Sequence, residues 1–437
     1  MDRIEICRDN PRYWAYKGKP VLLLGGSVED NLFQIADLEE HLDLLYQVGG
    51  NYVRCTMSCR DEGDLWPFAF TGERYDLEQW NPAFWARFAR FLELTAERDI
   101  VVQIELWATF DYYRNNWQVN PFNPQQNINY TSEASSLPVA VDSHPVKTEN
   151  SFFWSVPAKN NQQVVLYYQQ RFVDEILSHT LPYGHILYCM DNETSVTPAW
   201  GAYWSTYIQN RATERGVSVE TTEMWDAHDL FDEQHQATLA HPELYSFVDI
   251  SQNNHQVGET HWRNAQRLRQ TLSPVRPLNS VKIYGADSGR YGTDQDGQER
   301  FWRNIIGGLA SSRFHRPPSG LGLNALAQRH LQSARLFLER CDIFACEPAG
   351  SLLRSCQENG AYATAERGRQ YAVYFPDGQS AEIDLCEVSD AVHASWLDIS
   401  ASRWAVQQRL HGGDWMLLTP PDRGHWAVVI TPAGSGY

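Results

Sequence analysis

Apolar residues in this chain follow two rhythms: short unbroken runs, and longer stretches spaced at three and four. Pro20-Val21-Leu22-Leu23-Leu24 is a run of the first kind. It predicts a buried strand closed by Gly25-Gly26-Ser27, then Glu29, Asp30 and Asn31. Leu38, Leu42 and Leu45 follow at helical spacing, with Gly49 as the stop. Asn51 to Met57 predicts the next strand and carries Arg54. Asn81-Pro82 then caps a helix whose apolar face is Phe84, Phe88, Phe91 and Leu92. Ile100 to Trp107 predicts a third strand with Glu105 and Trp107 near its end. Asp111 to Ala158 has no period and predicts a long loop, a kind that is usually functional or disordered. A helix with Val165, Tyr168, Phe172 and Ile176 on one face leads to the run Ile186-Leu187-Tyr188-Cys189-Met190, which breaks into Asp191-Asn192-Glu193.

The same alternation continues. Val217 to Met224 predicts a strand ending in Trp225-Asp226, and Phe247 to Ile250 one ending in Ser251-Gln252-Asn253-Asn254-His255. Pro277 to Tyr284 predicts a strand ending in Gly285-Ala286-Asp287, and Ser312 to Phe314 one meeting His315-Arg316-Pro317. Helices are expected from Thr197-Pro198, over Phe231 to Ala240, Thr260 to Leu272, Glu299 to Ser311 and Leu323 to Arg340. About eight strand-then-helix units imply a parallel sheet, and over this length a (β/α)8 TIM barrel. A doubly wound open sheet is the alternative. Against it, no Gly-x-Gly-x-x-Gly turn and no phosphate-binding Lys-Ser/Thr loop occurs.

From about Pro348 the pattern shortens. Ala361 to Thr364, Gln370 to Phe375, Ala381 to Leu385, Trp404 to Gln407, Trp415 to Leu418 and Trp426 to Ile430 are brief strand-like runs between turns such as Pro376-Asp377-Gly378. They predict a small antiparallel β-sandwich. The expected domains are therefore a barrel over 1–347 and a sandwich over 348–437 of the 437 residues.

Composition narrows the partners. A formal net charge of −18 argues against nucleic acid or an anionic membrane, and fits a protein handling neutral ligands. The chain has 16 Trp and 21 Tyr, rings that stack on sugar faces but also fill cores. Its cysteines show no Cys-x-x-Cys pair and no zinc spacing, so no metal or cofactor is expected. Those in apolar segments read as buried thiols of a reducing compartment. No apolar run would span a membrane, and no signal peptide is visible after Met1. The expected location is cytoplasmic, or periplasmic or secreted for a chain whose leader has been trimmed.

In a barrel the chemistry lies at the carboxyl ends of the strands. Those ends supply Glu29, Asp30, Asn31, Arg54, Glu105, Trp107, Asn192, Glu193, Trp225, Asp226, Asn254, His255, Asp287, Arg313 and His315. Carboxylates for proton transfer, amides and arginines for hydroxyls and indoles for sugar faces together describe a carbohydrate site. Each residue also has a structural reading. Glu29 and Asp30 would cap a helix, Arg54 would pair with Glu105, Trp107 and Trp225 would pack, and Asp226 would bond His228. A carboxyl at the end of a buried strand, such as Glu193, has the dry wall that raises a proton donor's pKa.

Certain stretches resemble a known family. They are Gly49-Gly50-Asn51-Tyr52-Val53-Arg54, Trp80-Asn81-Pro82-Ala83-Phe84-Trp85, Asn192-Glu193, Ala361-Tyr362-Ala363 and Tyr371-Ala372-Val373-Tyr374. Through them the barrel half resembles the clan A glycoside hydrolases, and the whole chain resembles the apiosidase-like family, which joins a barrel to a C-terminal β-sandwich labelled collagen-binding. The resemblance implies that Glu193 is the general acid/base and that Asn192 contacts the hydroxyl beside the anomeric carbon. The clan places a nucleophilic Glu at the end of strand seven. Here Leu278 to Asp287 contains none, and Lys282 stands near its position. Asp287 is the first expectation for the second carboxylate. Glu105, Asp226 or Glu29 would serve instead, including as the base of an inverting reaction. Loss of hydrolysis would leave a silent glycan-binding protein. Lys282 would pair with Glu193 or Asp287, bind an acidic sugar's carboxylate, or form the Schiff base of a lyase or aldolase-like enzyme.

Overall fold

The apolar runs line up side by side and parallel. The computed structural model describes residues 2–147, 149–286, 291–388 and 391–433. Its parallel strands are β1 (Leu23–Gly26), β2 (Tyr52–Thr56), β3 (Val101–Trp107), β4 (Ile186–Asp191), β5 (Glu220–Thr222), β6 (Val248–Asp249), β7 (Leu278–Asn279) and β8 (Ser311–Phe314). A helix follows each: α1 (Leu38–Gln47), α2 (Pro82–Glu97), α3 (Gln163–Thr180), α4 (Pro198–Glu214), α5 (Glu233–Leu239), α6 (Gly258–Thr271), α7 (Asp294–Ile306) and α8 (Ala325–Leu338). Six strands form one sheet in the order β5-β4-β3-β2-β1-β8, and β6 pairs with β7.

The two pieces meet at both edges. On one side the Ala310 N–H donates to Leu278 O (2.9 Å), the Arg313 N–H to Ser280 O (3.1 Å), and Ile283 bridges Phe314 in parallel. On the other side the Thr222 hydroxyl donates to Phe247 O (2.8 Å) and accepts from the Asp249 N–H (3.2 Å). A side chain there replaces a main-chain ladder. The arrangement resembles a TIM barrel. Gly25 lets β1 approach β2, because a Cβ there would overlap the Tyr52 carbonyl.

Side chains alternate along the strands. Tyr52 and Gln103 on one level bond each other (2.7 Å), and Asn279 and Asp249 join them. One period higher, Arg54 and Glu105 meet. The lower group is a polar floor, closed by the Trp14 indole on Asn279 (2.9 Å).

Element existence follows the sequence reading more closely than element extent. The fifth strand is three residues long and the seventh two, although longer apolar runs predicted more. The stretch 111–158 is not bare loop. It includes the short helices Arg114–Val119 and Ser132–Ser135 and the turn Ser151–Trp154. Most of its aromatics, among them Trp117, Phe122, Phe152 and Phe153, are buried. No period betrays this packing because asparagine amides, not a ladder, satisfy its carbonyls. Asn123 donates to Trp117 O and Val139 O, and Asn150 to Tyr112 O.

In the C-terminal region Tyr362–Glu366, Gln370–Phe375, Trp426–Pro432, Ala391–Asp398 and Arg403–His411 belong to a six-stranded antiparallel sheet. Ala381–Asp384 and Trp415–Leu418 belong to a three-stranded one, and the two sheets share a buried apolar cluster. Ala391–Asp398 was not expected as a strand, because His393 and Ser395 interrupt its apolar residues. The region is fastened to the parallel part by Trp302 stacked on Tyr374 (5.7 Å), and by His425 between the Tyr374 hydroxyl (2.8 Å) and Gln295 (3.0 Å).

Candidate active site

Glu193 follows directly on β4 in an unusual backbone state. Its φ is +49°, the left-handed region that a non-glycine residue occupies only when its surroundings hold it there. Here the Asn192 N–H donates to Trp107 O (3.1 Å), and the Thr109 hydroxyl donates to Asn192 O (2.6 Å) and Glu193 O (3.2 Å). On the other flank the Thr194 N–H donates to Met224 O (3.0 Å). The carboxylate is thereby presented at the carboxyl ends of the parallel strands with 14% of its side chain exposed.

Glu193 Oε1 accepts from Lys282 Nζ (2.7 Å), the Tyr284 hydroxyl (2.6 Å) and Gln252 Nε2 (3.1 Å). Burial works to raise its pKa, but the adjacent Lys282 ammonium and these donors outweigh it and hold the carboxyl well below the usual range. Lys282 also donates to Asn192 Oδ1 (2.5 Å), which accepts from Arg54 too (3.1 Å). Lys282 and Tyr284 face the same carboxylate because they are two positions apart on one extended segment.

Beneath lies a buried charge network. Arg54 makes two bonds to Glu105 (2.8 and 2.5 Å) and one to Asp30 (2.6 Å). Asp30 also meets Arg316 (3.1 Å) and Arg60 (3.6 Å), and Arg316 reaches Glu29 (2.5 Å). Despite its burial, this surround of Arg54, His315, Arg316 and Arg60 keeps Asp30 far below the ordinary carboxylate range.

One wall is aromatic. His228 stacks on His255 (3.6 Å), and His255 lies against Tyr284 (4.7 Å) and Tyr291 (4.8 Å). The His315 ring meets Tyr284 edge-on (5.0 Å). Burial, then the neighbouring His228, pushes His255 down to about 3, so its ring is neutral. Beside Glu193 stands Asp226, whose N–H donates to Thr194 O (2.9 Å). Burial and the facing Glu193 charge push Asp226 up to about 6, with Lys282 opposing. A cleft of about 950 Å³ adjoins the rim at Glu29 and Asp61 and runs along α1 and α2, without reaching Glu193.

The rim expected from sequence is thus brought together in part. Glu193, Asn192, Lys282, Arg54, Glu105, Asp30, Glu29, Asp226, His255 and His315 form one connected neighbourhood. The two indoles do not join it. Trp107 is buried against Phe172, Trp200 and Trp204 in the helix layer. The Trp225 indole donates to Thr238 of α5 (2.8 Å) and is equally buried. Large rings gain more buried area between sheet and helices than at an open rim. Asn254 is a buried strut bonded to Ser251 O, Ser280 and His261. Arg313 is a buried tie to Val281 O and the Ser27 hydroxyl, and Asn31 bonds Ser58 O and Asp64. Asp287 lies outside the described residues.

From the sequence Tyr284, Gln252 and Arg60 did not stand out, Arg316 stood out only as part of His315-Arg316-Pro317, and His228 only as a bond partner of Asp226, a bond that does not form among the described residues. The period-two relation of Tyr284 to Lys282 was the signal available for Tyr284. Among the described residues no group of three or more His, Cys, Asp or Glu is arranged to hold a metal ion, and no helix is long and apolar enough to cross a membrane.

No protein-family model and no curated protein matches this sequence. Solved structures do share its fold. A protein titled glycoside hydrolase aligns with a TM-score of 0.67 at 11% identity, over 100% of this chain and 98% of its own. A glycoside hydrolase family 5 protein from Bacteroides vulgatus aligns with a TM-score of 0.65 at 10% identity, over 100% and 94%. A GH30 endoxylanase from Clostridium papyrosolvens aligns with a TM-score of 0.50 at 12% identity, over 95% and 97%. The likeness extends through the C-terminal region, and at these identities it is a likeness of fold.

Proposed function

We propose that this protein hydrolyses glycosidic bonds of a glycan or glycoside, with Glu193 as the central carboxylate. The observation that carries the reading is the placement of Glu193. It stands at the carboxyl end of β4, in a strained backbone state, anchored by Lys282, Tyr284 and Gln252 and open to a rim of polar and aromatic groups. The fold shared with glycoside hydrolases supports it. In this reading the eight parallel strands make one closed (β/α)8 barrel over 1–347, and the antiparallel sheets make a β-sandwich over 348–437. The finer affiliation is to the apiosidase-like barrel hydrolases of clan A. Asn192, fixed by Arg54 and Lys282, contacts a substrate hydroxyl, and Tyr284 and His255 supply the sugar-facing wall.

One observation favours a second reading, a catalytically silent glycan-binding protein. Lys282 stands where the clan's second carboxylate is expected, and it neutralises Glu193. The lyase or aldolase-like reading has less support, because a Schiff-base lysine needs a free amine and the Lys282 ammonium is committed to Glu193 and Asn192. A screen of aryl glycosides and polysaccharides for released product, run beside glycan-array binding, separates the readings. Product from any glycoside supports hydrolysis. Array binding without product favours the silent protein.

A further inference from the structure

Acid/base hydrolysis needs one carboxyl that carries a proton and one that does not. We propose, resting on the hydrolase reading above, that Asp226 is the proton donor and that Glu193 is the ionised carboxylate that attacks the anomeric carbon, held in place by Lys282 and Tyr284. This reverses the part that the Asn192-Glu193 pair suggests by resemblance.

Two observations carry the assignment. First, among the described residues the partners of the Glu193 carboxylate all donate, and all bond Oε1: Lys282, Tyr284 and Gln252. A carboxyl that faces an ammonium at 2.7 Å and a phenol at 2.6 Å is stabilised as an anion and is a poor reservoir for a proton. Among the described residues Oε2 has no hydrogen-bond partner, which leaves it available to a substrate. Second, Asp226 is the neighbouring carboxyl with the opposite environment. The parallel bridge of Thr194 to Trp225 and the Asp226 N–H on Thr194 O keep the two strand ends side by side. Yet among the described residues the Asp226 side chain has no hydrogen bond or ion pair. It is half-buried, and the charges that act on it are those of Glu193 and, in opposition, Lys282.

Among the described residues, the charged and titratable groups around the two carboxyls include Lys282, Tyr284, Arg54, His228 and His255. Burial drives both His228 and His255 toward the neutral form, so neither forces Asp226 to ionise. Asp226, raised to about 6, and Glu193, held far lower, are a pair whose environments separate acid from nucleophile.

Asp226 gives its proton to the glycosidic oxygen as the bond from that oxygen to the anomeric carbon breaks, and an alcohol leaves. Glu193 Oε2 bonds to the anomeric carbon, forming a glycosyl ester. The Asp226 carboxylate next takes a proton from water, whose oxygen attacks the anomeric carbon. The ester bond breaks, Glu193 is regenerated as a carboxylate, and Asp226 is again protonated.

The test compares leaving groups on one sugar: a dinitrophenyl glycoside, whose departure needs no proton, and the methyl glycoside, whose departure does. In Asp226→Asn the first glycosylation step on the dinitrophenyl substrate should stay within about tenfold of wild type, while methyl glycoside cleavage falls at least about 100-fold. In Glu193→Gln both should fall together. Selective loss of the methyl substrate in Glu193→Gln, or equal loss of both in Asp226→Asn, overturns the proposal. A second measurement needs no turnover. Carboxyl 13C resonances of the wild-type protein, assigned with these variants, should show Asp226 titrating near pH 6 and Glu193 flat down to pH 4. The reverse order overturns the assignment even for an active hydrolase. A wild-type protein that cleaves no glycoside overturns the hydrolase reading, while the titration still reads the two ionisation states.

Discussion

Lys282 Nζ lies 2.7 Å from Glu193 Oε1, and the lysine is almost wholly buried. Removing one partner of such a pair leaves the other uncompensated, at a cost of about 3–5 kcal/mol. Lys282→Met should therefore destabilise the protein by roughly that amount at pH 7. In the wild type the Glu193 pKa is lowered on folding, so its stabilisation is present above the unfolded value near 4.5 and fades as pH falls through the folded value. In the variant burial would raise the same carboxyl, and stability would fall as pH rises. The gap between the two proteins should shrink between pH 7 and pH 4 in denaturant titrations. A gap independent of pH would mean that packing, not charge, was lost.

Arg54 neutralises Glu105 and Asp30 at once and is itself fully buried. Arg54→Met should cost at least about 3 kcal/mol. Arg54→Lys should recover little, because one ammonium cannot reproduce a forked bond to Glu105 together with a bond to Asp30. Urea unfolding of the two variants checks this, with Arg54→Met/Glu105→Gln expected to regain part of the loss.

A second carboxyl pair is buried in the wall behind the site. The Asp191 N–H donates to Glu223 Oε1 (2.9 Å), and the Trp200 indole donates to Asp191 Oδ1 (3.2 Å). Burial pushes Asp191 up to about 8 and Glu223 well above its usual range. Both values are raised on folding, so the pair's contribution is full below pH 4 and is lost as pH rises through about 8. Glu223→Gln keeps the acceptor Oε1 and removes the ionisation. Its melting temperature relative to wild type should climb between pH 5 and pH 9, whereas a constant difference would contradict a raised pKa at Glu223.

The two kinds of ring make separable predictions. Trp107 packs in the helix layer, so Trp107→Leu should lower the melting temperature and leave KM within about twofold, the loss being a core effect of about 3 kcal/mol. His255 belongs to the aromatic wall with His228 and Tyr284. His255→Ala should raise KM about tenfold, as loss of a stacking platform does, with little change in melting temperature. Steady-state kinetics and thermal melts on both variants check the division.

The fold was legible because β-strand runs and helical spacing alternate from Leu22 to Arg340 with little interruption. The site was legible only where chain position alone decides it. Glu193, Asp226 and Lys282 end or follow strands; Lys282 pairs with Glu193, and the Asp226 backbone bonds Thr194 beside it. The indoles show where that logic stops. Trp107 and Trp225 also end strands, but side-chain direction depends on which neighbour offers more buried contact, and that is set by α3, α4 and α5, far away in sequence. The ionisation of Glu193 was likewise hidden. A strand end in a dry wall predicts a raised pKa, and the sign is reversed by Lys282 and Tyr284, about ninety residues further on.

The central claim is that a glycosidic bond is cut at Glu193. The most direct measurement is product release from a glycoside panel by the wild-type protein and by Glu193→Gln, at equal concentration and with circular dichroism verifying the fold of both. The account predicts turnover of at least one glycoside by the wild type and a fall of at least about 1,000-fold in the variant, the loss expected when a group that acts in the transition state is removed. Equal rates from the two proteins, or no product from either, would contradict it.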